Sequence, residues 1–120
     1  MNSAITIGQQ AELLACQFLQ QNKLKLIVKN YHCRRGEIDL IMQDHNTLVF
    51  IEVRYRKNDR FGSALESVNY KKQAKIIVTA EHYLLHNTQA FSGYRFDVIA
   101  ISPTLHTHDI IWVKDAFHSN

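Results

Sequence analysis

Two acidic residues set on apolar stretches, Asp39 and Glu52, are the residues whose type and spacing most invite chemistry. They stand in the segment GEIDLIMQDHNTLVFIEVRYR, Gly36 to Arg56, with Arg54 two places beyond the second acid. The flanks are rich in Ile, Leu, Val and Phe, and Asp44-His45-Asn46-Thr47 between them is a polar turn, so the segment reads as a β-hairpin. An even loop places Asp39 opposite Glu52 and Glu37 opposite Arg54. A loop of three residues would turn the two acids to opposite faces.

Side chains alternate across a strand, so Glu37, Asp39 and Ile41 share one face, as do Phe50, Glu52 and Arg54. Like charges on directly opposed residues are destabilising, and a cation is expected between them. Two carboxylates on one face supply hard oxygen ligands for Mg²⁺ or Mn²⁺, an ion that keeps several waters and completes its shell with phosphate. With a cation nearby to stabilise the growing charge, this is the equipment for phosphodiester hydrolysis.

The elements that must position these residues follow from periodicity. Ala11, Leu14, Ala15, Phe18 and Leu19 mark an amphipathic helix from Ile7 to about Gln21, with Thr6 and Gln9 as a capping box. Glu12 falls on the margin of its apolar face. It can reach a cleft, but spacing alone favours an exposed glutamate. Leu24 to Tyr31 reads as an edge or second strand, and Gly36 follows a turn at His32 to Arg35 as the residue that permits a sharp bend.

Lys57 to Gly62 reads as a basic loop, and Ser63 to Glu66 as a capping box that starts the longest helix, ending near His86. Leu65, Val68, Ile76, Thr79, Ala80 and Tyr83 are its inward stripe. Lys72 falls within that stripe, where it either meets the hairpin acids or snorkels past them to water. Asn87 to Gly93 is a loop, Tyr94 to Ser102 a strand ended by Pro103, and Asp109 to Val113 a further edge strand before Lys114 to Asn120 frays. The order is α-β-β-β-α-β with a possible extra strand: one domain over 1–120, with its core at about 7–102 and a C-terminal extension at 103–120.

With 120 residues, 46% hydrophobic and 21% charged, the composition is that of a globular domain and not of a disordered chain. No stretch approaches a membrane span and no secretory signal opens the chain, so a cytoplasmic location without membrane attachment is expected. Cys16 and Cys33 lack zinc or disulfide spacing. The histidines, His82/His86 and His106-x-His108 included, read as solvent-facing. The formal charge is +3, and the positive residues cluster around the hairpin: Arg34, Arg35, Arg54, Arg56, Lys57 and Arg60, then Lys71, Lys72 and Lys75. An anionic partner fits that layout, although solvated surface charge explains each cluster alone equally well.

The ordered set Gly8 to Glu12, Arg35 to Ile41, Val49 to Arg56, Lys72 with Ala80 and Tyr83-Leu84, and Arg95 to Val98 resembles the PD-(D/E)XK nuclease superfamily. It is more closely similar to the YraN family of small bacterial proteins. The resemblance implies a restriction-endonuclease-like α/β core with a mixed sheet flanked by helices, as in archaeal Holliday-junction resolvases. It implies Asp39, Glu52 and Glu12 as ligands of Mg²⁺ or Mn²⁺, and Asp39, Glu52, Arg54 and Lys72 as catalytic residues. Arg34, Arg35, Arg56, Lys57 and Arg60 are the expected nucleic-acid contacts.

The motif's final lysine is Arg54 here, which keeps the charge but cannot easily serve as a base. Three readings therefore stand: a metal-dependent endonuclease acting on DNA, branched or single-stranded; a nucleic-acid-binding module with weak or lost catalysis; and a domain whose acids are neutralised internally by Arg54 and Lys72. Junction-cutting nucleases often act as homodimers, but the chain carries no dedicated dimer motif.

Overall fold

The computed structural model describes residues 5–56, 65–87, 89–103 and 108–118. Helix α1, Ile7–Gln21, is capped by Thr6, whose hydroxyl accepts from Gln9 N–H while the Gln9 side chain accepts from Thr6 N–H. Its stripe of Ala11, Ala15, Cys16 and Leu19 is buried. Strands β1 (Lys25–Cys33), β2 (Gly36–Asp44) and β3 (Thr47–Tyr55) follow, then a 3₁₀ turn at Leu65–Ser67, α2 (Tyr70–His86), β4 (Gly93–Pro103) and β5 (His108–Phe117). The α-β-β-β-α-β order expected of a restriction-endonuclease-like core is present, with the further edge strand.

The five strands lie in the order β1-β2-β3-β4-β5. All neighbours are antiparallel except β3 and β4, which run parallel and need the long crossover that carries α2. Each helix covers one face. α1 packs on Leu40, Met42, Val49, Ile51, Ile99 and Ile101, whereas Ile76, Ala80 and Tyr83 of α2 pack on Ile41, Phe50, Phe96 and Val98. β3 lies between them and is buried on both sides from Leu48 to Ile51, which explains its unbroken apolar run. No helix among the described residues is long and apolar enough to cross a membrane.

Several expectations need correction. Helix α2 starts at Tyr70, with Asn69 as its cap, whose side chain accepts from Lys72 N–H at 2.9 Å. Leu65 and Glu66 belong to the 3₁₀ turn instead, and Ser63 and Ala64 lie outside the described residues. Strand β5 continues to a buried Phe117 where fraying was expected, because Asp115 takes φ 54° and lets the pairing slip and resume. Asp97 anchors that slip: its carboxylate is 0% exposed and accepts from Arg95 Nε, Trp112 Nε1 and Asp115 N–H.

Gly36 is not a bend residue, since its φ lies outside the left-handed region. A Cβ there would stand 2.9 Å from Thr79 Oγ1, so its role is to let β2 approach α2. His82 is half-buried, bonded to the Tyr31 hydroxyl and stacked on His86, so it does not simply face solvent.

Candidate metal and phosphate site

The β2–β3 hairpin has a two-residue loop, His45 and Asn46, with His45 at φ 54°, the sign of φ that tight hairpin turns require. The register runs from Asp44↔Thr47 to Leu40↔Ile51 and is the one expected for an even loop. It stops there. β3 stays with β4 through Tyr55↔Ile101, while β2 stays with β1, so the two strands part like a fork beyond Leu40 and Ile51. Asp39 and Glu52 are the first residues past the split.

The split revises one expected pair. Glu37 does not meet Arg54, because their strands have separated; it pairs with His32 on β1, carboxylate to Nε2 at 2.8 Å. The β1–β2 ladder is also irregular beside Asp39, with pairs on either side of it at Lys29↔Leu40 and Tyr31↔Ile38 and with Asn30 at φ 52°. Ile38 faces the α2 side and Leu40 the α1 side, so β2 changes its facing at Asp39.

Inside the fork, Asp39 Oδ2 accepts from Val53 N–H at 2.7 Å. Burial, above all, and the charge of Glu52 push the Asp39 carboxyl from 3.8 up to about 8, with a hydrogen bond to Glu52 and the charge of Glu12 acting in the same direction. Near neutral pH Asp39 therefore keeps its proton, hydrogen-bonded to Glu52. Glu52, 7% exposed at its side chain, takes Lys72 Nζ at 2.8 Å, and Arg54 Nη1 is farther off at 3.9 Å. Among the described residues the buried Arg54 Nε finds no hydrogen-bond partner.

Gly36, Glu37, Asp39, Glu52, Arg54 and the α2 residues Lys71, Lys72 and Lys75 line a cavity of about 500 Å³. Asp39, Glu52, Arg54 and Lys72 are thus brought together. Glu12 is half-exposed on α1 and acts on Asp39 through its charge, but among the described residues no three of His, Cys, Asp and Glu are grouped closely enough to hold a metal ion. Arg34 and Arg35 form the exposed β1–β2 turn, and Arg56 N–H is bonded to Ile101 O at the end of β3. Lys57, Arg60 and His106 lie outside the described residues.

The sequence reading grouped Lys71 and Lys75 with Lys72 but did not place them at the site, and it passed over Asn69, which also lines the cavity. The signal was present: Asn is among the strongest helix caps, and starting α2 there puts all three lysines in its first two turns.

The chemistry open to this arrangement is that of a cation held by oxygen. A buried Asp39 that keeps its proton beside a second carboxylate can exchange that proton for a divalent ion, and the surrounding lysines and arginine suit the phosphate such an ion carries.

The family profile described as "Uncharacterised protein family UPF0102" matches residues 11–101, a span containing Glu12, Asp39, Glu52, Arg54 and Lys72. A UPF0102 protein of Nitrosococcus oceani is 51% identical over 111 residues, covering 92% of this chain and 90% of its own. One from Nitrosomonas europaea is 49% identical over 117 residues, 98% of each chain. Another, from Psychromonas ingrahamii, is 52% identical over 110 residues, 92% of this chain and 88% of its own. On that identity and coverage, the chain belongs to the UPF0102 family.

Proposed function

We propose that the protein is a metal-dependent endonuclease that hydrolyses phosphodiester bonds in DNA, on branched or single-stranded forms. One observation carries this reading. Asp39 and Glu52 stand side by side at the split of two strands, inside a cavity rimmed by basic residues, where burial first and the charge of Glu52 second hold the Asp39 carboxyl protonated. A purely structural pair of acids would be stabilised by a cation for each, and Asp39 has a main-chain N–H in that place.

Asp39 and Glu52 fit Mg²⁺ or Mn²⁺, which needs few protein oxygens and takes the rest from water and phosphate. When bound, the ion supplies Lewis acidity toward the phosphoryl group and a nucleophile at neutral pH. Lys72 orients Glu52 and sets a positive charge beside the cavity, where negative charge grows in the transition state. Lys71 and Lys75 draw the phosphate backbone in. Arg54 acts through its charge rather than as a base.

Cleavage assays with Mg²⁺ or Mn²⁺ on linear, nicked, flapped and four-way-junction DNA test this. Metal-dependent product is expected from the wild type and not from Glu52→Gln; folded protein that makes no product with either ion refutes the cutting activity. Arg54 in place of the motif lysine favours a second reading, a nucleic-acid-binding module with weak or lost catalysis. Arg54→Lys discriminates between them: a gain of cleavage that the wild type lacks supports the binding module.

A further inference from the structure

Asn69 lines two cavities at once. On one side is the carboxylate cavity, and on the other a second cavity of about 580 Å³ bordered by Val68, Tyr70, Gln73, Phe117 and His118. The wall between them is fixed in place: Asn69 Oδ1 accepts from Lys72 N–H at 2.9 Å, and Gln73 Nε2 donates to Val68 O at 2.9 Å. Tyr70 stands on this wall, 88% exposed, at the first residue of α2.

The ring gains nothing from folding at that exposure, whereas Ile76, Ala80 and Tyr83 of the same helix are buried against the sheet. Its neighbours suggest what it meets. On the side of Lys71, Lys72 and Lys75 the surface suits phosphate; on the side of Phe117 apolar Val68, Ala116 and Phe117 are joined by the Gln73 amide, His118 and the Glu66 carboxylate. A nucleotide joins an anionic phosphate to a flat, polar-edged ring through one sugar, and two such cavities divided by one side chain match that construction.

We infer that the second cavity receives an unpaired nucleobase stacked on Tyr70, so that the substrate carries at least one unpaired nucleotide beside the phosphate in the carboxylate cavity. This rests on the reading of that cavity as a phosphodiester site. Bases inside a duplex are stacked on their neighbours and cannot offer a face to Tyr70, whereas single-stranded or junction nucleotides can.

The test is binding by fluorescence anisotropy in Ca²⁺, using a labelled oligothymidylate of about 20 nucleotides and an abasic strand of the same length. Tyr70→Ala is expected to weaken the oligothymidylate about tenfold and to leave the abasic strand unchanged, with Tyr70→Trp restoring the difference. Circular dichroism verifies that the variants fold. An equal effect on both strands, or none on either, overturns the base cavity. If Lys71→Ala with Lys75→Ala still weakens both strands in that case, the phosphodiester site survives without the base cavity. A wild type that binds neither strand removes both.

Discussion

Replacing Asp39 by Asn should stabilise the metal-free protein, by an amount that grows with pH. The Asp39 carboxyl titrates at 3.8 in its ordinary state and at about 8 in the folded chain. Below 3.8 both the folded and unfolded chains hold the proton, and the group contributes nothing. Between the two values only the folded chain holds it, so the unfolding free energy falls by about 1.4 kcal/mol per pH unit from this group. Above about 8 both forms are ionised, and a constant destabilisation of roughly 6 kcal/mol remains. Asparagine mimics the protonated acid: its carbonyl accepts from Val53 N–H and its amide donates to Glu52.

Thermal unfolding in EDTA, wild type beside Asp39→Asn from pH 4.5 to 8.5, reads this directly. The two should coincide near the acid end and diverge by about 5 °C per pH unit, for a domain of this size. Titrating groups that do not interact with residue 39 cancel in the difference. Mn²⁺ should then raise the wild type more than the variant, since the ion takes the place of the proton and is favoured as pH rises. Parallel curves, or a variant less stable than wild type at pH 8, would mean that the two acids are not held against their repulsion, and the argument for a cation between them would fail.

Other expected outcomes follow from the same structure. Lys72→Ala removes the cation nearest the buried Glu52 and should lower stability by about 2 kcal/mol, less than for a fully buried pair because the lysine is 41% exposed; a double-mutant cycle with Glu52→Gln in urea should show most of that loss as coupling. Asp97→Ala leaves Arg95, Trp112 Nε1 and Asp115 N–H without their acceptor. It should cost about 3–5 kcal/mol, with an altered Trp112 fluorescence spectrum before any unfolding. Gly36→Ala drives a Cβ to 2.9 Å from Thr79 Oγ1, itself bonded to Lys75 O. A cost of about 1–3 kcal/mol is expected, and Thr79→Ala in the same chain should recover part of it in denaturant titration.

What was legible in the sequence is what two independent signals agreed on. Helix α1 had both a 3.6-residue period and a cap. The hairpin register had both alternation and a turn, and together they brought Asp39 to Glu52. The end of a ladder carries no such signal: alternation continues through Val53 and Arg54 whether or not β2 is still beside them, so Glu37 was matched to Arg54 across strands that have parted. The start of α2 was read from the Ser63–Glu66 capping box alone, and Asn69, the cap that the structure uses, was passed over.

That later start changes what the lysines mean. From Asn69 onward, Lys71 and Lys72 are the second and third residues of α2 and Lys75 lies one turn further, with no acid in the first turn. Cations at this end oppose the helix dipole, each costing about 0.3–1 kcal/mol, where Asp or Glu would have stabilised the helix. Among the described residues Glu52 pairs with Lys72 at 2.8 Å and Arg54 at 3.9 Å, and of the three lysines Lys72 alone has a carboxylate at that distance. Lys71 and Lys75 set the same positive potential at the cavity without a comparable carboxylate partner among the described residues, which does not fit a hairpin whose acids merely need neutralising. On the proposed reading, an anion arriving with its own divalent ion would satisfy both halves at once: the metal would take the place of the Asp39 proton, and the phosphate would answer the surplus charge at the helix end.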